Sequence, residues 1–192
     1  PLVIGAYPYS STTCDSFANE TLVNTLDGSI DDVYLYDTAL SGTDIALLAN
    51  GKEPAGAVAH WDFSERTGTT AADSINASVL SLTDANSWGG STGCTTCTDT
   101  GLGSGYASHN GDTMLDINSV TASAWVKFDD ATTGGTVLYK QAVTTGGHSA
   151  YSLAMANGEL TARFETDYFV FTDLSSSGLN LQANTWYHVA LR

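Results

Sequence analysis

The chain has 192 residues and a mass of 20.0 kDa, enough for one large all-β domain or two small ones with a core of ordinary size. Six Lys and Arg stand against 21 Asp and Glu, a formal net charge of -15 and a pI near 4.1. Such a field repels phosphate backbones and anionic membrane surfaces, which excludes nucleic acid and lipid headgroups as partners and favours cations. A hydrophobic content of 42% opposes disorder, and with only 14% charged residues Ser, Thr, Asn and Gly carry much of the surface, as in secreted β-proteins. No apolar run has the length of a membrane-spanning helix, so no membrane insertion is expected, and Pro1–Gly5 lacks the basic start of a signal peptide.

In chain order, Pro1–Ala6 reads as a short strand and Tyr7–Asn19 as a polar loop. Ser29–Asp37 reads as a strand with Val33 and Leu35 on one face and Ile30, Tyr34 and Tyr36 on the other. A short helix follows. Ser41 stands at the N-cap with Asp44 three residues on, a capping box, and Leu40 and Ile45 are spaced as a hydrophobic staple. Asn50-Gly51 ends the helix with residues that tolerate the left-handed conformation. Gly51–Gly56 then interrupts all periodicity, which divides the chain into residues 1–53 and a new unit, 57–192.

In that second unit Ala57–Phe63 opens on a strand, and Ala85–Gly111, rich in Gly and Ser, reads mostly as loop holding Trp88, Tyr106 and a cysteine pair. Val120, Ala122, Ala124, Val126 and Phe128 alternate with Thr121, Ser123, Trp125 and Lys127, a half-buried strand. Further strands are expected over Thr136–Lys140, Ala150–Ala156, Glu159–Glu165, Tyr168–Thr172 and Thr185–Leu191, with Asn157-Gly158 as a hairpin turn. Trp186 is expected to pack inside.

Cys94 and Cys97 form a CxxC without the βαβ pattern of redox catalysis or the second ligand pair of a zinc site. They read, with Cys14, as disulfide candidates: a local bond, a bond to Cys14, or a thiol left over. His60, His109, His148 and His188 show no metal-ligand spacing and read as satisfied strand or loop residues. Gly89-Gly90-Ser91-Thr92-Gly93 matches G-x-S-x-G formally but lies in loop. Asn19-Glu20-Thr21 and Asn76-Ala77-Ser78 fit the N-glycosylation pattern.

Gly28, Ile30-Asp31-Asp32-Val33, Tyr36, Ala39-Leu40-Ser41 and Asp44-Ile45 resemble the closing strand and helix turn of a laminin-G-like domain of the concanavalin A-like lectin/glucanase superfamily. Trp61, Phe63, Glu65, Gly68, Ala71, Asp73 and Ser74 resemble its opening, W-x-F-x-E-x-x-G-x-x-A-x-D-x-S. The later strands, through Trp186-Tyr187-His188-Val189-Ala190, follow its order. An ending thus precedes an opening. Residues 1–53 read as the C-terminal part of such a sandwich and 57–192 as the N-terminal part, together one domain lacking a central hairpin. The order suits a segment of tandem repeats, a circular permutation or an exchange with a neighbouring copy, and we favour the repeat-derived segment.

The resemblance implies an all-β, two-sheet antiparallel jelly-roll sandwich with one short helix. It also implies a structural calcium ion held by Asp31 and Asp73, with Asp62 and a group near Asn76 as further ligands. Glucanases of the superfamily carry paired carboxylates on one strand. Glu165-Thr166-Asp167 lacks the third carboxylate, so no catalytic residue and no enzyme activity are expected. Trp88 and Tyr106, with Trp125 and Tyr168 beside them, offer flat faces for sugar rings, against loop or core packing for each. The function implied is a non-enzymatic recognition or adhesion module, extracellular or on a cell or virion surface, binding a glycan or surface protein. The alternative is a structural repeat subunit of a filament, sheath or virion surface, completed by neighbouring copies of itself.

Overall fold

A computed structural model describes residues 2–9, 21–83, 88, 105–110, 115, 117, 119–130, 132–141, 150–167 and 170–192. Its elements are β1 (Leu2–Ile4), β2 (Tyr7–Tyr9), β3 (Thr21–Val23), β4 (Gly28–Tyr36), α1 (Gly42–Leu48), β5 (Ala57–Trp61), β6 (Thr70–Ala71), β7 (Leu80–Leu82) and β8 (Ala107–His109). They continue with β9 (Thr121–Phe128), β10 (Gly135–Lys140), β11 (Ala150–Ala156), β12 (Glu159–Asp167), β13 (Val170–Ser175) and β14 (Trp186–Leu191). The first segment is more regular than its polar composition suggests: β2 pairs with β3 where a loop over Tyr7–Asn19 was expected. Likewise β8 lies inside the Gly-rich stretch read as loop, pairing with β1 and β7.

Two antiparallel sheets form the sandwich. The larger has the order β13-β12-β11-β10-β1-β8-β7-β6 and the smaller β14-β9-β4-β5, with β2-β3 a separate hairpin. Strands from residues 1–53 sit inside both sheets, since β1 joins β8 to β10 and β4 joins β9 to β5. Between the sheets lies one apolar core that includes Trp61, Phe63, Phe128, Ile30, Leu35 and Leu2. The Trp61 indole donates to the Ser78 carbonyl at 2.8 Å, so its single polar group is satisfied inside that core.

The alternation of β9 is as the sequence predicts, with Val120, Ala122, Ala124, Val126 and Phe128 all buried. That of β4 is not. Asp31 faces Trp125 and Tyr34 faces Ser123, so three steps on β4 answer two on β9, which is a β-bulge. Asp32 takes up the extra residue at φ 48, in the left-handed region that Asp tolerates better than most residues. The bulge flips the face, and Ile30 therefore joins Val33 and Leu35 in the core instead of standing opposite them.

On the other face Tyr36 packs with Leu40 and Leu48, and Ile45 of α1 closes over them. The capping box forms as predicted: Ser41 Oγ accepts from Asp44 N at 3.1 Å, and Asp44 Oδ2 accepts from Ser41 N at 3.3 Å. At the helix end Gly51 has φ 66 and its N–H reaches the Leu48 carbonyl, as a left-handed stop requires. Burial, with nearby Glu53 and Asp44, pushes the Tyr36 phenol up to about 12.

Candidate binding site

Residues paired across antiparallel strands share a face, so the register of the large sheet defines a row. Val3 faces Tyr139, Tyr139 faces Ser152, Ser152 faces Arg163, and Arg163 faces Asp173. Their sequence neighbours Leu2, Leu138, Leu153 and Ala162 point into the core, which puts the row on the outer face. Tyr7 of β2 meets Tyr139 edge-on, with ring centroids 4.7 Å apart.

At the other end of the row the Arg163 guanidinium donates through Nε to Asp173 Oδ1 at 2.7 Å and through Nη2 to Oδ2 at 2.9 Å, a two-pronged planar pair. Both side chains are more than half exposed, at 52% and 56%. The hydrogen bond from Arg163 holds the Asp173 carboxyl below its ordinary 3.8 and raises the guanidinium in return.

A cavity of about 450 Å³ lies at one end of this face, lined by Asn24, Asp27, Thr133, Gly134, Thr136 and Ala154 among others. Its near wall is the segment leading from β3 to β4. That segment is pinned by two backbone bonds, Thr136 N to Asn24 O at 2.9 Å and Leu26 N to Gly5 O at 2.9 Å. Gly135 permits the approach, because a Cβ there would sit 2.5 Å from Leu26 Cα. Ala154 stands two residues from Ser152 on β11, so the cavity and the row share one face.

The residues singled out as calcium ligands sit on and around the small sheet. Asp31 is fully buried, and its Oδ1 accepts from Asp32 N at 2.9 Å. Asp73 Oδ1 accepts from His60 N at 3.0 Å and Ile75 N at 2.9 Å, while its buried Oδ2 has no hydrogen-bond partner. Asp62 Oδ1 accepts from Ser64 N at 3.1 Å, and Asn76 Nδ2 donates to Val58 O at 2.6 Å. Asp73 and Asn76 thus both tie the turn after β6 to the β5 backbone, whereas Asp31 lies across β4 beside β9. Among the described residues no three His, Cys, Asp or Glu side chains are gathered so as to hold a metal.

Trp88 donates its indole N–H to the Gly68 carbonyl at 2.9 Å and stands edge-on to Phe63, half-buried against the core. Tyr106 is half-buried, with its backbone tied to Thr83 through N–H and C=O. Cys14, Cys94 and Cys97, and the side chains of Glu165 and Asp167, lie outside the described residues. Trp186 is a correction: it faces Lys127 in register, on the outer face of the small sheet, with the Lys127 ammonium 5.9 Å from its ring. Its strand exposes alternate residues on this face, and Trp186 falls in the Trp125 and Lys127 set.

His60 is satisfied on every side, as expected of a strand histidine. Its ring stacks on Tyr34 at 3.8 Å, Nε2 lies 3.2 Å from Asp32 Oδ1, and Nδ1 lies 2.9 Å from Ser74 Oγ. Burial raises the Tyr34 phenol, and Asp32 adds to the effect. His109 Nδ1 lies 2.7 Å from the Val79 carbonyl. The row on the large sheet, by contrast, is missed by sequence reasoning. Its members lie on five strands, and apart from Val3 their only signal is a polar or aromatic residue at each outward position.

Two packed antiparallel sheets with one short helix define the class, a concanavalin A-like sandwich. Residues 99–192 match the Laminin_G_3 family model of the concanavalin A-like lectin/glucanases superfamily. No curated protein and no solved structure matches the chain. Laminin-G-like domains are in general modules that bind carbohydrate or protein, typically without catalysis. No helix among the described residues is long and apolar enough to cross a membrane.

Proposed function

We propose that this chain is a non-enzymatic recognition or adhesion module, extracellular or on a cell or virion surface, whose partner is a glycan or a glycan-bearing surface protein. The observation that carries the reading is the outer face of the large sheet. There an aromatic pair, a planar ion pair and a cavity of mixed polar and apolar lining lie on one sheet face, the mix of flat apolar surface and oriented hydrogen-bonding groups that sugars need. A glycan array probed with the folded chain tests the reading: a reproducible signal supports it, and a blank array across neutral and charged glycans counts against it.

Calcium belongs to the same proposal as a structural ion. The supporting observation is Asp73 Oδ2, a buried carboxylate oxygen with no hydrogen bond, the kind of hard donor that a calcium ion takes. Asp73 would supply the charge, with Asp31, Asp62 and Asn76 the further candidates.

The second reading, completion by neighbouring copies, is favoured by β14. Among the described residues it closes one edge of the small sheet and pairs with β9 alone, so there Trp186–Leu191 presents a strand edge open to another strand. Native mass measurement tests it, with a concentration-dependent oligomer expected.

A further inference from the structure

We infer that the cavity and the outer row of the large sheet form one elongated site for a linear, uncharged oligosaccharide running along β11; this rests on the carbohydrate-binding reading. The cavity wall at Ala154 and Ala156 and the row residue Ser152 alternate onto one face of that strand. At the rise of an extended strand the track from Ala156 to Ser152 is about 13 Å, longer than a single sugar ring. Two side chains flank Ser152 in register: Tyr139, backed by Tyr7, on one side and Arg163, held by Asp173, on the other.

The chemistry of the flanks selects the ligand. Tyrosine rings give an apolar surface against which a sugar face packs, with hydroxyls at the edge. The Arg163–Asp173 pair is oriented by its own two bonds and is net neutral, so it offers hydrogen bonds to hydroxyls without a charge to draw an anion. An anionic chain would moreover meet the field of a protein with net charge -15 and Asp27 in the cavity wall. A lipid is excluded by that wall, where Asn24, Asp27, Thr133 and Thr136 would lose water without replacement.

The test is titration calorimetry of the folded chain with glucose, mannose and xylose oligomers of increasing length, alongside a sulfated glycan. Affinity for one neutral series is expected to rise at least about tenfold with length, and to fall about tenfold in Tyr139→Ala and in Arg163→Gln. Lys127→Ala on the opposite sheet is expected to bind as the parent does. Tyr139→Phe keeps the ring and should retain binding, which separates loss of stacking from loss of fold. Binding that ignores length, Tyr139 and Arg163 overturns the elongated site while leaving carbohydrate recognition standing. Preference for the sulfated glycan overturns the uncharged ligand, and no binding by any glycan overturns both.

Discussion

Asp32 places Oδ1 3.2 Å from His60 Nε2 while its own backbone sits at φ 48, so one residue both makes the bulge in β4 and anchors the histidine of β5. A carboxylate only accepts, so Nε2 donates to Asp32, while Nδ1 lies 2.9 Å from Ser74 Oγ. Replacement should therefore separate the two roles. Asp32→Asn tolerates the left-handed backbone and keeps an acceptor, and should cost under about 1 kcal/mol. Asp32→Val puts a β-branched residue in that region and should cost about 1–3 kcal/mol more. Urea unfolding measures both; equal stability of the two variants would show that the bulge stores no strain.

That bulge also marks where the sequence stops being informative. The hydrophobic pattern of Val120–Phe128, the Ser41–Asp44 box and the order of the later strands could be read directly, because each depends on neighbours within one element. The face of Ile30 could not, since a one-residue slip depends on how β9 pairs with β4. Large aromatics usually pack inside, yet the parity of Trp186 with Lys127 puts it outside. The candidate site was the least legible part. Tyr7, Tyr139, Ser152, Arg163 and Asp173 are brought together only by sheet order, whereas Trp88 and Tyr106, prominent in a Gly-rich stretch, are tied into its packing.

His188 gives a pH prediction. It stands half-buried on β14, edge-on to Trp125 at 5.5 Å; burial lowers its pKa from 6.5, and Asp32 opposes this only in part. The unfolded chain therefore binds a proton at a higher pH than the folded chain does. Stability should be full above 6.5 and fall as pH drops below it, levelling off beneath the folded value. In His188→Gln this step in melting temperature between neutral and mildly acid pH should be smaller. A variant with the parent's full step would assign the effect to another group.

Two glycines with the same sign of φ predict different penalties. Gly178 has φ 69 with open space where a Cβ would go, so Gly178→Ala should cost only the backbone strain, about 1 kcal/mol. Gly134, in the β9–β10 turn, has φ 79, and a Cβ would collide with the Met155 carbonyl of neighbouring β11. Gly134→Ala should cost that strain plus about 1–3 kcal/mol of overpacking. It should also distort the cavity wall, so glycan affinity should fall with it. Chemical denaturation ranks the pair; parity between them would mean that the turn yields freely.

The calcium proposal turns on one carboxylate oxygen. Asp73 Oδ1 is already committed to the N–H groups of His60 and Ile75, so only the buried Oδ2 is left for a cation. Asp73→Asn keeps an oxygen acceptor for those two N–H groups but removes the charge and replaces the cation-facing oxygen with a donor. If the ion binds there, calcium at about a hundredfold its Kd should stabilise the parent by about 2.7 kcal/mol, and chelator should reverse this. The Asn variant should give no response to either, and without calcium it should stay within about 1 kcal/mol of the parent, because it loses a buried charge but leaves a buried amide N–H group unpaired in its place. A parent whose melting temperature ignores both calcium and chelator would remove the ion from the site. Asp73 would then be a turn residue holding β5 to the segment after β6, with the cost of its unbonded oxygen met by packing alone.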